Sequence, residues 1–98
     1  ELKQGRLIAE NMSATERQNI FDFLDLVYAN FISRIKADFD LTKGELLLAA
    51  LIKLGFSNQQ LMIVFDCEMK SIYKNRQRLK ADLGLTKNDS LEQMIMMY

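Results

Sequence analysis

Residues 57–80, SNQQLMIVFDCEMKSIYKNRQRLK, read as two helices joined by a tight turn. The first spans Asn58–Phe65, the turn passes through Asp66, Cys67 and Glu68, and the second helix spans Met69–Asp82. On a helical wheel Ile72, Leu79 and Leu83 fall together, with Met69 and Arg76 at one edge and Asn75 at the other. Lys70, Lys74, Gln77 and Ala81 lie opposite, flanked by Tyr73 and Arg78. No acid occurs between Lys70 and Lys80. A short helix, a short turn and a second helix with a cationic outer face describe a helix-turn-helix, whose second helix suits a DNA major groove.

Working outward, Leu41-Thr42-Lys43-Gly44-Glu45 precedes this unit, followed by Leu51-Ile52 and Gly55-Phe56-Ser57-Asn58. Ser71-Ile72 opens the second helix and Leu83-Gly84-Leu85 closes it. Together these resemble the LuxR-type helix-turn-helix of bacterial response regulators, over about residues 41–98. That family reads LTxxE, a leucine run, GxSNxxI, a TVxxH stretch and a closing KLG. Here Asn75 stands where the family has His and Tyr73 where it has Lys, while Ser71-Ile72 replaces Thr-Val conservatively.

The resemblance implies a sequence-specific module of a transcriptional regulator that binds double-stranded DNA. By position, Tyr73, Lys74 and Gln77 would read base edges. Lys70, Arg76, Arg78 and Lys80 would meet phosphates, as would Ser57 and Asn58 at a helix N-terminus. The last helix of such domains forms the dimer contact, which would fall to Leu91, Met94, Met97 and Tyr98. From the residues alone, methionines at helical spacing are more often core filler.

Composition sets bounds on these readings. Ninety-eight residues make one domain, or one small domain with an appendage. Proline is absent and glycine scarce, which favours helices throughout. The formal net charge is zero, so affinity for nucleic acid has to come from a local patch. Residues 1–40 are slightly acidic and residues 42–98 slightly basic. The single cysteine, Cys67, forms no internal disulfide and fits a reducing cytoplasm; in the turn it reads as a small buried hydrophobe. No signal peptide is visible, and the apolar run 46–54, broken by Lys53, is too short to span a bilayer. The chain opens on Glu1 rather than Met, so it is expected to be the C-terminal piece of a longer protein with an upstream sensor or signalling domain.

The expected fold is all-α: a tetrahelical helix-turn-helix domain over 41–98, preceded by an N-terminal helical segment over 1–40. Residues 2–11 are expected to be a short helix. Ser13-Ala14-Thr15-Glu16 is a capping box, after which one long helix is expected over 14–37. Its apolar positions Ile20, Phe21, Leu24, Val27, Tyr28, Phe31, Ile32 and Ile35 recur at three and four residues. Phe23 and Leu26 widen that stripe. It either buries against the C-terminal domain or meets a second subunit, making a homodimer, or an upstream sensor. Thr42-Lys43-Gly44-Glu45 is a second capping box and Ser57-Asn58-Gln59-Gln60 a third. Gly55 and Gly84 suit left-handed helix ends, and Asn88-Asp89-Ser90 caps a last helix over 91–98.

Catalytic chemistry has little to build on. There is no histidine for a triad or imidazole metal site, and one cysteine makes no zinc knuckle. Asp22 with Asp25, and Asp38 with Asp40, read as solvated helix surface. No enzyme activity, metal, cofactor or small-molecule substrate is expected. Two other readings remain open. One is a helical protein-interaction or dimerisation module that keeps the fold without binding DNA, motivated by zero net charge and the missing Lys and His equivalents. The other is the promoter-reading C-terminal region of a sigma-type factor.

Overall fold

Serine and threonine N-caps decide where four of the helices begin. The computed structural model describes residues 12–98; the helix expected over 2–11 lies outside them. In chain order the helices are α1 (Ala14–Val27), α2 (Phe31–Asp38), α3 (Lys43–Lys53), α4 (Asn58–Phe65), α5 (Met69–Asp82) and α6 (Leu91–Met97). There is no strand among the described residues. Ser13 with Glu16, Thr42 with Glu45 and Ser57 with Gln60 close full capping boxes at α1, α3 and α4. In each, the hydroxyl accepts from the third amide and the acid or amide side chain accepts from the cap's own N–H. Ser90 caps α6 by accepting from the Gln93 amide at 3.2 Å.

The long helix expected over 14–37 is two helices, broken at Tyr28-Ala29-Asn30. Ala29 and Asn30 both hold left-handed conformations, with φ of 54° and 65°. The break is held by Asp25, whose carboxylate reaches past the end of α1 to the start of α2. Its Oδ1 accepts from the amides of Ile32 (2.7 Å) and Ser33 (3.1 Å), and its Oδ2 accepts from the Ser33 hydroxyl (2.7 Å). Asp25 is therefore a remote N-cap for α2, not the solvated surface residue expected. Asp22 accepts from the Gln18 amide at 3.0 Å, one turn back along α1.

One core runs through all six helices. Leu24, Phe31 and Ile35 from the first two share it with Leu47, Leu48 and Leu51 of α3, Leu61 and Phe65 of α4, Ile72 and Leu79 of α5, and Leu91 and Ile95 of α6. Residues on both sides of position 40 contribute to it. The central helix is α3, in which every residue from Glu45 to Lys53 is buried. At its end Gly55, at φ 90°, takes the left-handed position, and the Phe56 amide returns to the Leu51 carbonyl at 3.0 Å.

Two polar groups are buried on α3, one near each end. Lys53 is 7% exposed. Its Nζ donates to the carbonyls of Ile95 (3.2 Å) and Met96 (2.9 Å), near the C-terminus of α6. The rings of Tyr28 and Phe31 lie 4.8 and 5.0 Å from the same ammonium. Burial, reinforced by the positive charge of Arg34, pulls the Lys53 pKa below the usual lysine range. Arg34 does a similar job from α2, donating to the carbonyls of Tyr28 (3.1 Å), Ala29 (2.9 Å) and Tyr98 (2.8 Å). Near the other end, Glu45 is 8% exposed and has the carboxyl of Asp82, at the close of α5, as a neighbour. Burial and that second carboxyl push the Glu45 pKa up.

Two tests follow from these features. Asp25→Ala leaves two amides at the start of α2 without their acceptor and should cost about 1–2 kcal/mol in urea denaturation. Ala29→Gly relieves a left-handed alanine and should instead stabilise by about 0.5–1 kcal/mol. The second test concerns pH. A carboxyl whose folded pKa is raised contributes stability below its unfolded pKa that is lost as pH rises through the folded value. Glutamine keeps the capping-box acceptor, as Gln60 does in α4. Glu45→Gln should therefore gain stability over the parent as pH rises from about 4 to 7, with little difference at the acid end. Equal pH profiles for the two proteins would exclude this role for Glu45.

Candidate nucleic-acid interface

The surface formed by α4 and α5 begins with how the second of these helices is held. Ile72, Asn75 and Leu79 are its buried residues, and Leu83 follows them into the core. Asn75 donates from its side-chain amide to the Ser71 carbonyl at 2.8 Å, one turn back in the same helix. That buried face fixes the opposite one: Lys70, Tyr73, Lys74 and Gln77 are exposed, Tyr73 to 55%. At 100° per residue these four lie within an arc of about 100°.

The remaining cations of α5 sit differently. Arg76 is half-buried and forms an ion pair with Glu92 on α6. Burial, the largest single influence, would raise the Glu92 pKa, but the hydrogen bond and charge of Arg76, a hydrogen bond from its own backbone amide and the charge of Lys80 together hold the carboxyl below the usual range. Lys80 donates from Nζ to the Lys87 carbonyl at 3.2 Å, fastening the loop before α6. Within that loop Asp89 accepts from the amide and hydroxyl of Thr86 at 2.7 and 3.0 Å. Arg78 is half-buried.

The turn carries two acids and the cysteine. Asp66 adopts the left-handed conformation at φ 48°, and the Cys67 amide returns to the Met62 carbonyl at 3.1 Å. Glu68 occupies the N-cap of α5 without a side-chain cap hydrogen bond. Cys67 is half-buried and packs against the core. Its burial, with Asp66 and Glu68 alongside, pushes the thiol pKa up, away from thiolate reactivity. On α4, Ser57 is exposed and committed to its capping box, Asn58 is half-buried, and Ile63 is 67% exposed.

The dimer-contact candidates separate into inner and outer residues. Leu91 is buried, and Met94 and Tyr98 pack against the core of their own chain. The Tyr98 ring meets Phe31 edge-on and Phe39 at a tilt, both at 6.0 Å between centroids. Its hydroxyl hydrogen-bonds with Asp38 and with the Arg34 carbonyl. Burial and Asp38 push the Tyr98 pKa up to about 12. Met97 alone of the four is largely exposed, at 82%.

Three functional roles had no clear signal in the sequence: Asp25 as a remote cap, and Arg34 and Lys53 as ligands of the α6 carbonyls. The one hint was Lys53 interrupting an otherwise apolar run. Among the described residues no group of three or more His, Cys, Asp or Glu could hold a metal ion, and no helix is long and apolar enough to cross a membrane. Compared with protein-family models, with curated proteins and with solved structures, the chain matches none of them.

Proposed function

We propose that α4, the turn and α5 act as a helix-turn-helix of LuxR type that places α5 in the major groove of double-stranded DNA, as part of a transcriptional regulator. The observation that carries this reading is the exposed, acid-free arc of Lys70, Tyr73, Lys74 and Gln77 on a helix anchored along its other face. A helix presented this way offers donors to base edges mid-groove and cations to the flanking phosphates. Lys74 suits a guanine edge and Gln77 an adenine edge. Lys70 is assigned to phosphate, with Ser57 and Asn58 at the start of α4. Arg76, engaged by Glu92, is assigned to holding α6 against α5.

A second reading rests on a specific feature of the same face. Ile63 and Tyr73 are both exposed, and Asp66 and Glu68 occupy the turn between them. Apolar groups beside acids favour a protein partner over a polyanion, which supports an interaction module that keeps the fold without DNA binding.

Salt-titrated binding to a random duplex pool separates the two. Under the DNA reading, Lys70→Ala should weaken all duplexes alike and lower the magnitude of the salt slope by about one. Gln77→Ala should lose about 1–3 kcal/mol of preference at a single base position while leaving the salt slope intact. If neither substitution alters binding to any duplex, α5 does not read DNA.

A further inference from the structure

We propose that Glu92 withholds Arg76 from the DNA backbone, so that the first turn of α6 sets how tightly α5 holds any duplex. This role presupposes that α5 binds DNA, and it adds a control to that surface. Arg76 stands at the edge of its helix. At 100° per residue it lies about 40° from buried Ile72 and about 60° from exposed Tyr73. Its guanidinium forms an ion pair and hydrogen bond with the Glu92 carboxylate. The arginine side chain is 16% exposed and the glutamate 55%, so the acid is the partner that faces solvent.

The backbone that carries this carboxylate is fixed by contacts other than Arg76. Ser90 caps α6, and Leu91 and Ile95 bury its inner face. Lys53 and Arg34 hold the carbonyls at its far end. Lys80, one turn further along α5, is close enough for its charge to act on the same carboxylate.

Counterions decide what this arrangement does to binding. Backbone contact gains from each DNA counterion that a protein cation displaces. An arginine accompanied by a carboxylate brings no net charge to a phosphate, so it displaces none. The exposed carboxylate also repels an approaching backbone. One contact is thereby subtracted from the affinity shared by all sequences, while base reading by Lys74 and Gln77 is left alone. The pair itself, being partly exposed, adds little to stability, so its effect on an incoming polyanion is the larger one.

Salt-titrated binding of the full chain to a random duplex pool tests this role. Glu92→Gln releases Arg76 and should bind all duplexes about threefold to tenfold more tightly near roughly 0.1 M salt. The magnitude of its salt slope should rise by about one. Arg76→Gln leaves the Glu92 carboxylate bare and should bind more weakly than the parent. The double substitution carries neither charge and should bind as the parent does, which makes the two sites a coupled pair. Asp22→Asn makes the same change in net charge on α1 and should leave the slope where it is. Far-ultraviolet circular dichroism confirms that each variant keeps its helicity. If Glu92→Gln binds with the parent's slope, Glu92 exerts no such control. A double variant as steep as Glu92→Gln would trace the gain to a displaced α6 and would equally overturn the role. Failure of both the parent and Glu92→Gln to bind any duplex at low salt would overturn the DNA reading of α5, and this control with it.

Discussion

The ammonium of Lys53 is the group on which the arrangement of the helices depends. Removing such a cation from water costs several kcal/mol unless its hydrogen bonds are rebuilt inside the protein. Here the carbonyls of Ile95 and Met96 rebuild them, and the faces of Tyr28 and Phe31 add to the compensation. Those partners belong to α6, to the α1–α2 break and to α2, while the lysine itself belongs to α3. The charge is tolerated only where all of these elements meet. In return α6, a helix of 7 residues too short to persist alone, has its carbonyl end satisfied. Arg34 and Tyr98 repeat the arrangement a few residues further on.

Charge on this protein is consequently a matter of location more than of number. Counting cations between residues 70 and 80 overstates what is offered to solvent, because Arg76 is paired with Glu92 and Lys80 holds a carbonyl. Lys70 and Lys74 remain on the outer face of α5, with Tyr73 and Gln77 beside them. That makes the α5 surface more polar and aromatic than polycationic. It also explains how a chain with no net charge presents an acid-free helix face.

How much of this was legible in the sequence depends on whether a feature is local. The starts of α1, α3 and α4 were readable because a capping box involves four consecutive residues. The ends of α3 and α5 were marked by Gly55 and Gly84 for the same reason. The break in the first helix was hidden because Leu24, Phe31 and Ile35 face one common core, so apolar spacing continues across it. Its cause, a carboxylate seven residues ahead of the amide it caps, leaves no short-range signature. Glu45 was recognised as a capping residue, whereas its contact with Asp82 joins helices far apart in sequence. The surplus apolar residues of α1 and the last helix were visible, because a side chain outside the buried stripe is out of place in any packing. Leu91, Met94 and Tyr98 share that helix but turn inward, a choice made by the neighbours that surround them.

The position of α6 has a mechanical consequence. It is tied to α5 near its beginning through Glu92 and to α2 and α3 near its end through Arg34 and Lys53. A helix of this length is about 10 Å of stiff rod. Pinned at both ends, it behaves as a strut between the α1–α2 pair and α5, with no hinge along its length. A torque applied to α1 would then swing α5 as part of one solid piece, so orientation, not internal rearrangement, is what such a load changes.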